Sequence, residues 1–143
     1  MSQQLATFKI GDHLFGIPVG AVQEVIRYQN STPVPLAPAS IGGLINLRGQ
    51  VVTAIDLRFR LGLGHFGPDD RPMNVVVRSG EGAVSLLVDR IGDVVDTPDD
   101  IFEPPPETLS GPGRGLILGA YKLDGQLLLA LDVDRAVDVS TAA

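Results

Sequence analysis

A chain of 143 residues, 44% hydrophobic and 20% charged, can bury a core of ordinary domain size and is globular in composition. A net charge of −6 offers no basic face to nucleic acid, the absence of cysteine removes disulfides, thiolate metal sites and a cysteine nucleophile, and no apolar run approaches the roughly 20 residues of a membrane span. The opening residues, MSQQLATFKIGD, lack the charged and apolar regions of a signal peptide, so a soluble cytoplasmic protein without direct membrane insertion is expected.

Seventeen glycines and eleven prolines between short apolar runs predict a β-rich fold with many tight turns. Residues 5–10 and 14–19 read as strands around the turn Gly11-Asp12-His13. Residues 20–27 fit a helical turn or a strand, and residues 30–40, NSTPVPLAPAS, form a Pro-rich loop with a helical turn at 38–42. Residues 44–47 and 50–55 pair around Arg48-Gly49; Asp56 then caps a short helix that Gly62 or Gly64 closes. Residues 65–72, HFGPDDRP, link to a second series of elements. Strands at 74–78 and 83–88 flank Ser79-Gly80-Glu81-Gly82, and residues 90–96 form another strand. Residues 97–115 make a long acidic Pro-rich loop, residues 120–123 and 126–131 pair around Asp124-Gly125, and Asp132 caps a last short helix. Asp-Gly is a pair favoured where both central turn positions need positive φ.

The second series copies the first. Residues 43–58 lie over 119–134 without a gap, with Gly43/Gly119, Leu47/Leu123, Gly49/Gly125, Gln50/Gln126, Ala54/Ala130 and Asp56/Asp132 identical. Residues 7–26 lie over 76–95 with matching apolar positions, and Lys9/Arg78, Asp12/Glu81 and Glu24/Asp93 keep their charge. Two like halves, 5–64 and 73–138, predict a pseudo-two-fold arrangement within one interleaved domain and a groove where the halves meet.

Few residues point to catalysis. Asp56 and Asp132 are equivalent, as in an aspartic-protease dyad, but that chemistry needs carboxylates about 3 Å apart in a turn usually followed by Thr/Ser-Gly. Leu-Arg and Val-Asp follow them here, and both positions fit helix caps better. His13 and His65 fall in turns with no activated serine in view and are read as solvated, and GPGRG at 111–115 lacks the Lys-Ser/Thr and the helix start of a phosphate loop. Asp69-Asp70 and Asp99-Asp100 lack the spaced ligands of a calcium loop. No catalytic residue, cofactor or metal site is therefore expected. Glu24 and Arg48 are different: their copies are Asp93 and Asp124, so the first half alone can form this ion pair, either a surface pair or a polar recognition point beside apolar strands.

Three stretches resemble the CheW family of chemotaxis coupling proteins: Val22-Gln23-Glu24-Val25-Ile26-Arg27; Gly42-Gly43-Leu44-Ile45-Asn46-Leu47-Arg48-Gly49 with Asp56-Leu57-Arg58; and Leu86-Leu87-Val88-Asp89-Arg90-Ile91-Gly92-Asp93-Val94. The resemblance runs from about residue 7 to 138 and implies an all-β fold with a few short helices: two five-stranded SH3-like barrels sharing a core. It implies a non-catalytic cytoplasmic adaptor, monomeric when free and recruited to membrane-associated arrays. Its partners would be the cytoplasmic tip of a chemoreceptor (a methyl-accepting chemotaxis protein) and the regulatory domain of the histidine kinase CheA, in motility or in a non-motility chemosensory array. The receptor groove it implies includes Val22, Glu24, Gly43, Leu44, Asn46, Arg48 and Val88, with Gly43 allowing close backbone approach. Kinase contacts would lie at barrel ends. The length leaves no room for the receiver domain of the CheV type, and the three prolines at 104–106 set the long loop apart from the family pattern.

Overall fold

The computed structural model of the chain describes residues 2–67, 69–80, 82–105 and 111–138; Glu81, Pro106 and the rest of 106–110 lie outside the described residues. The strands are β1 (Ser2–Ile10), β2 (His13–Pro18), β3 (Val22–Ile26), β4 (Ile41–Leu47), β5 (Gln50–Asp56), β6 (Met73–Ser79), β7 (Gly82–Val88), β8 (Arg90–Pro98), β9 (Phe102–Glu103), β10 (Ile117–Leu123) and β11 (Gln126–Leu131). Two short helices, α1 (Leu57–Arg60) and α2 (Val133–Val137), follow β5 and β11. The ambiguous segment after β2 contains both readings, a 3₁₀ turn at Val19–Ala21 and then β3.

The strands form a six-stranded sheet, β8-β1-β2-β11-β10-β9, and a five-stranded sheet, β3-β6-β7-β5-β4. Setting β9 aside, the two orders are the same once β1, β2, β3, β4 and β5 are equated with β6, β7, β8, β10 and β11. Each sheet is a five-stranded SH3-like barrel, and the barrels are related by a pseudo-two-fold axis. The registers agree residue for residue: Leu5 faces Pro18 as Asn74 faces Leu87, and Gly43 faces Ala54 as Gly119 faces Ala130. The hairpin β1-β2 joins β11 of the second half through a parallel pairing, and β6-β7 joins β5 of the first half in the same way. Each sheet is thus completed by a hairpin from the other half.

Burial follows strand position. In central strand β6 the run Val75, Val76, Val77 is buried on successive residues, as expected for a strand covered on both faces. Edge strand β4 alternates: Gly43, Ile45 and Leu47 point inward while Gly42, Leu44 and Asn46 point out. The largest core joins Phe8, Phe15 and Ile17 of one sheet to Ile55, Leu86 and Val88 of the other, with Leu57 and Ala136 contributed by the helices.

Asp56 and Asp132 are the N-caps of α1 and α2, accepting from Phe59 N at 3.0 Å and Arg135 N at 3.2 Å. Gly62, at φ 76, closes α1, with its amide on Phe59 O and Leu63 N on Arg58 O. Three readings change. The helical turn at 38–42 is a single Ile41 N to Pro38 O bond, after which β4 has already begun. Part of the long acidic loop is strand: β8 runs on to Pro98, and β9 adds to the edge of β10. A 3₁₀ turn, Pro112–Leu116, does begin at the glycine-rich stretch, where a Cβ on Gly113 would lie 2.7 Å from Leu61 O, so this glycine lets the turn pack on the end of α1.

Candidate functional site

The outward residues of β4 and the loop behind it define the most elaborated surface of the five-stranded sheet. Its two edge strands are β3 and β4, and the turn after β4 carries Arg48. Asn46 Oδ1 accepts from Gly49 N at 2.8 Å, closing the turn from within. Arg48 at φ 55 and Gly49 at φ 87 both take left-handed backbone conformations, the two-residue turn whose twist suits a hairpin. The sequence favours such a turn at Asp124-Gly125, yet among the described residues Arg48 and Leu36 are the non-glycine residues with positive φ. The strained turn is the one that carries a guanidinium.

That guanidinium meets Glu24 on β3 in a two-pronged contact, Nη2 to Oε1 at 2.9 Å and Nη1 to Oε2 at 3.0 Å. The pair spans the two margins of one curled sheet and does not cross between the sheets. The Arg48 side chain is 78% exposed and that of Glu24 only 17% exposed. A fixed acid therefore holds a cation whose outer surface stays open to solvent. In the six-stranded sheet the equivalent positions are Asp93 and Asp124, two acids, and the chain there inserts β9 beside β10.

The remaining residues implied by the resemblance separate by burial. Val22 and Leu44 are half-buried and Asn46 is exposed. Leu44 pairs with Thr53 and Asn46 with Val51, so these four share the outward face of β4 and β5. Val51, 64% exposed, is an apolar surface residue that the sequence reading passed over; its outward position follows from counting in register from the Arg48-Gly49 turn. Val88 lies at 0% exposure in the common core and offers no contact surface. Gly43 is buried too. A Cβ there would lie 2.9 Å from Thr32 O and from Ser31 Cβ, and the φ of 140 is itself a glycine conformation. Its close backbone approach is thus to its own chain, where Thr32 pairs with Leu44 by bonds of 2.8 and 2.9 Å. Its copy Gly119 has the same task under Phe102 and Glu103.

A second polar cluster explains the Asp56-Leu57-Arg58 and Val88-Asp89-Arg90 stretches. Beyond capping α1, Asp56 accepts from Phe66 N at 3.2 Å and lies 3.2 Å from His65 Nδ1. His65 stacks on Phe59 with ring centroids 4.2 Å apart, so it is an ordered part of the link between the halves and not simply solvated. Arg58 pairs with Asp89 at 2.5 Å and lies over the Phe66 ring at 4.4 Å, while Asp89 also accepts from Gly11 N. These charges tie the linking segment and the β1-β2 turn to the sheet. Asp56 and Asp132 cap separate helices after strands of different sheets, with their oxygens engaged by local amides and neighbouring side chains, so they do not form a proton-sharing dyad.

A family model described as CheW-like domain matches residues 4–140. The chain is 32% identical over 132 residues to the chemotaxis protein CheW of Rhizobium meliloti, spanning 92% of this chain and 85% of that protein. It is 29% identical over 136 residues to the CheW of Treponema pallidum, spanning 92% and 80%. Among solved structures, the scaffolding protein TtCheW from Thermoanaerobacter tengcongensis superimposes with a TM-score of 0.83 at 27% identity, covering 97% of this chain and 94% of that one.

Proposed function

The chain belongs to the CheW family of chemotaxis adaptors, and from that premise we propose that it couples the cytoplasmic tips of chemoreceptors to the histidine kinase CheA, acting in the cytoplasm as a scaffold and catalysing no reaction itself. The observation that carries the receptor side is the Glu24–Arg48 pair: a cation held from behind by a shielded carboxylate and flanked by Leu44, Asn46 and Val51. A receptor tip is a bundle of helical hairpins, and a helix laid on this face meets Leu44 of β4 and Val51 of β5 with one oriented charge at the end. Val22, Glu24, Leu44, Asn46 and Arg48 form that contact surface; Gly43 lies beneath the edge of β4, and Val88, buried in the common core, takes no direct part. The kinase side uses barrel ends, through pairing with the homologous regulatory domain of CheA.

The test is binding of purified chemoreceptor hairpin fragment by the wild-type chain and by Arg48→Glu. Affinity should fall at least tenfold, while thermal stability changes little because an exposed ion pair contributes under about 1 kcal/mol. The double exchange Glu24→Arg with Arg48→Glu should recover much of the loss. Equal receptor affinity in Arg48→Glu and wild type would overturn the assignment.

A further inference from the structure

Residues 34–37, Val-Pro-Leu-Ala, form a tight turn closed by Ala37 N on Val34 O at 3.3 Å. Proline stands at the first central position and Leu36 at the second, with φ 65. This is the geometry of a turn that asks for glycine or asparagine at that second position, because a Cβ there crowds the backbone. Leu36 instead presents a branched apolar side chain, and it is 104% exposed. An isolated exposed leucine needs no explanation; one kept in a disfavoured backbone conformation with no intramolecular burial to offset it does.

The turn is held on both sides. Before it, Thr32 pairs with Leu44; after it, Ile41 N bonds to Pro38 O, and Ser40 O accepts from Asp56 N at 2.8 Å. Pro33, Pro35 and Pro38 stiffen what lies between. The Thr32–Leu44 pairing is antiparallel, so the chain beyond Thr32 runs toward the start of β4, whereas Arg48 stands just past its end. Leu36 and Arg48 thus lie on one margin of the same sheet, on opposite sides of Leu44. Arg48 is four residues from Leu44, roughly 13 Å along a strand, and the Pro-rich turn extends the margin further the other way.

We propose that Leu36 is the far anchor of the adaptor's partner-binding face, a rigid apolar knob that seats in the stripe of the same receptor helix whose other end meets Arg48. This rests on the receptor reading of the Glu24–Arg48 face and deepens it. A straight rod several helical turns long can touch both points at once, and an amphipathic helix of a receptor hairpin supplies one where a short flexible peptide does not. The proline-stiffened turn holds the knob in place before binding, so little ordering is needed on contact.

Leu36→Asn and Leu36→Gly test this without threatening the fold, since both residues accept the turn's backbone more readily than leucine. Each variant should melt at a higher temperature than wild type and yet bind purified chemoreceptor hairpin fragment five- to thirtyfold more weakly, as measured by titration calorimetry. A purely structural residue cannot move the two readouts in opposite directions. Should Leu36→Asn bind within twofold of wild type while Arg48→Glu is impaired, the knob is not part of the face and the inference fails alone. Should neither variant be impaired, the receptor reading itself fails. Sedimentation analysis covers the other occupant: a wild-type dimer that Leu36→Asn dissolves would show a second copy of the chain on this turn and overturn the receptor-helix assignment.

Discussion

Asp56 and Asp132 are the same residue by repeat and by local structure, yet they carry different loads. Both cap a short helix, but Asp56 is 5% exposed and also holds Phe66 N and faces His65, whereas among the described residues Asp132 adds a contact to Arg135 on its own helix. Removing Asp56 leaves two part-buried amides, of Phe59 and Phe66, without their acceptor and frees the linking segment. Asp56→Ala should therefore cost about 2–3 kcal/mol and Asp132→Ala about 1 kcal/mol in chemical denaturation. Equal losses would show that the linking segment draws nothing from Asp56. The cap role of each aspartate was readable from its position between an apolar strand and a helical pattern. The extra bonds to Asp56 were not, because they depend on how residues 65–66 fold back, and no periodicity encodes that.

At the scale of elements, each barrel closes one margin with a crossing segment, and a glycine makes room for it. Thr32 crosses over Gly43 in one sheet, and β9 crosses over Gly119 in the other. A Cβ on Gly119 would run into the Phe102 ring and come within 2.5 Å of Glu103 O. Gly119→Ala should displace β9 and cost about 2 kcal/mol or more, visible as faster amide exchange at residues 102–103 with little change in β3 and β6. Unchanged exchange there would mean that β9 adjusts without loss. Gly43→Ala should loosen the 31–32 segment likewise and, through Leu44, lower receptor affinity without any direct contact. The repeat marked both glycines as a pair. It could not say that each is covered by its own chain, because Ser31-Thr32 and Phe102-Glu103 share no sequence pattern and sit in loops of different length.

The whole molecule behaves as one unit because hairpins are exchanged between the halves and because the main core draws on both sheets. Leu86, at 0% exposure in β7, packs in that shared core, and Leu86→Ala should cost about 3 kcal/mol through lost contacts and a residual cavity. Exchange-monitored melting should then show β2 and β7 opening together, although they belong to different sheets. The same exchange predicts that residues 1–67 and 68–143, expressed apart, stay unfolded and assemble only when mixed. Independent folding of either fragment would contradict a shared core.

Turn chemistry, strand periodicity and helix caps are local, so the sequence by itself determined the β-rich class, the hairpins, both caps and the duplicated plan. Internal likeness also singled out Glu24 and Arg48, since their copies carry charges that cannot pair. Only the tertiary structure decided which strands share a sheet, because the parallel pairings β2-β11 and β5-β7 join residues far apart in the chain. The same long-range packing buried Val88 and Gly43 and left Leu44, Val51 and Arg48 on the surface. It also set Leu36 in its strained turn at the margin of β4. Residues of one motif alternate between core and solvent along an edge strand, and which of them a partner can touch follows from what packs against each face.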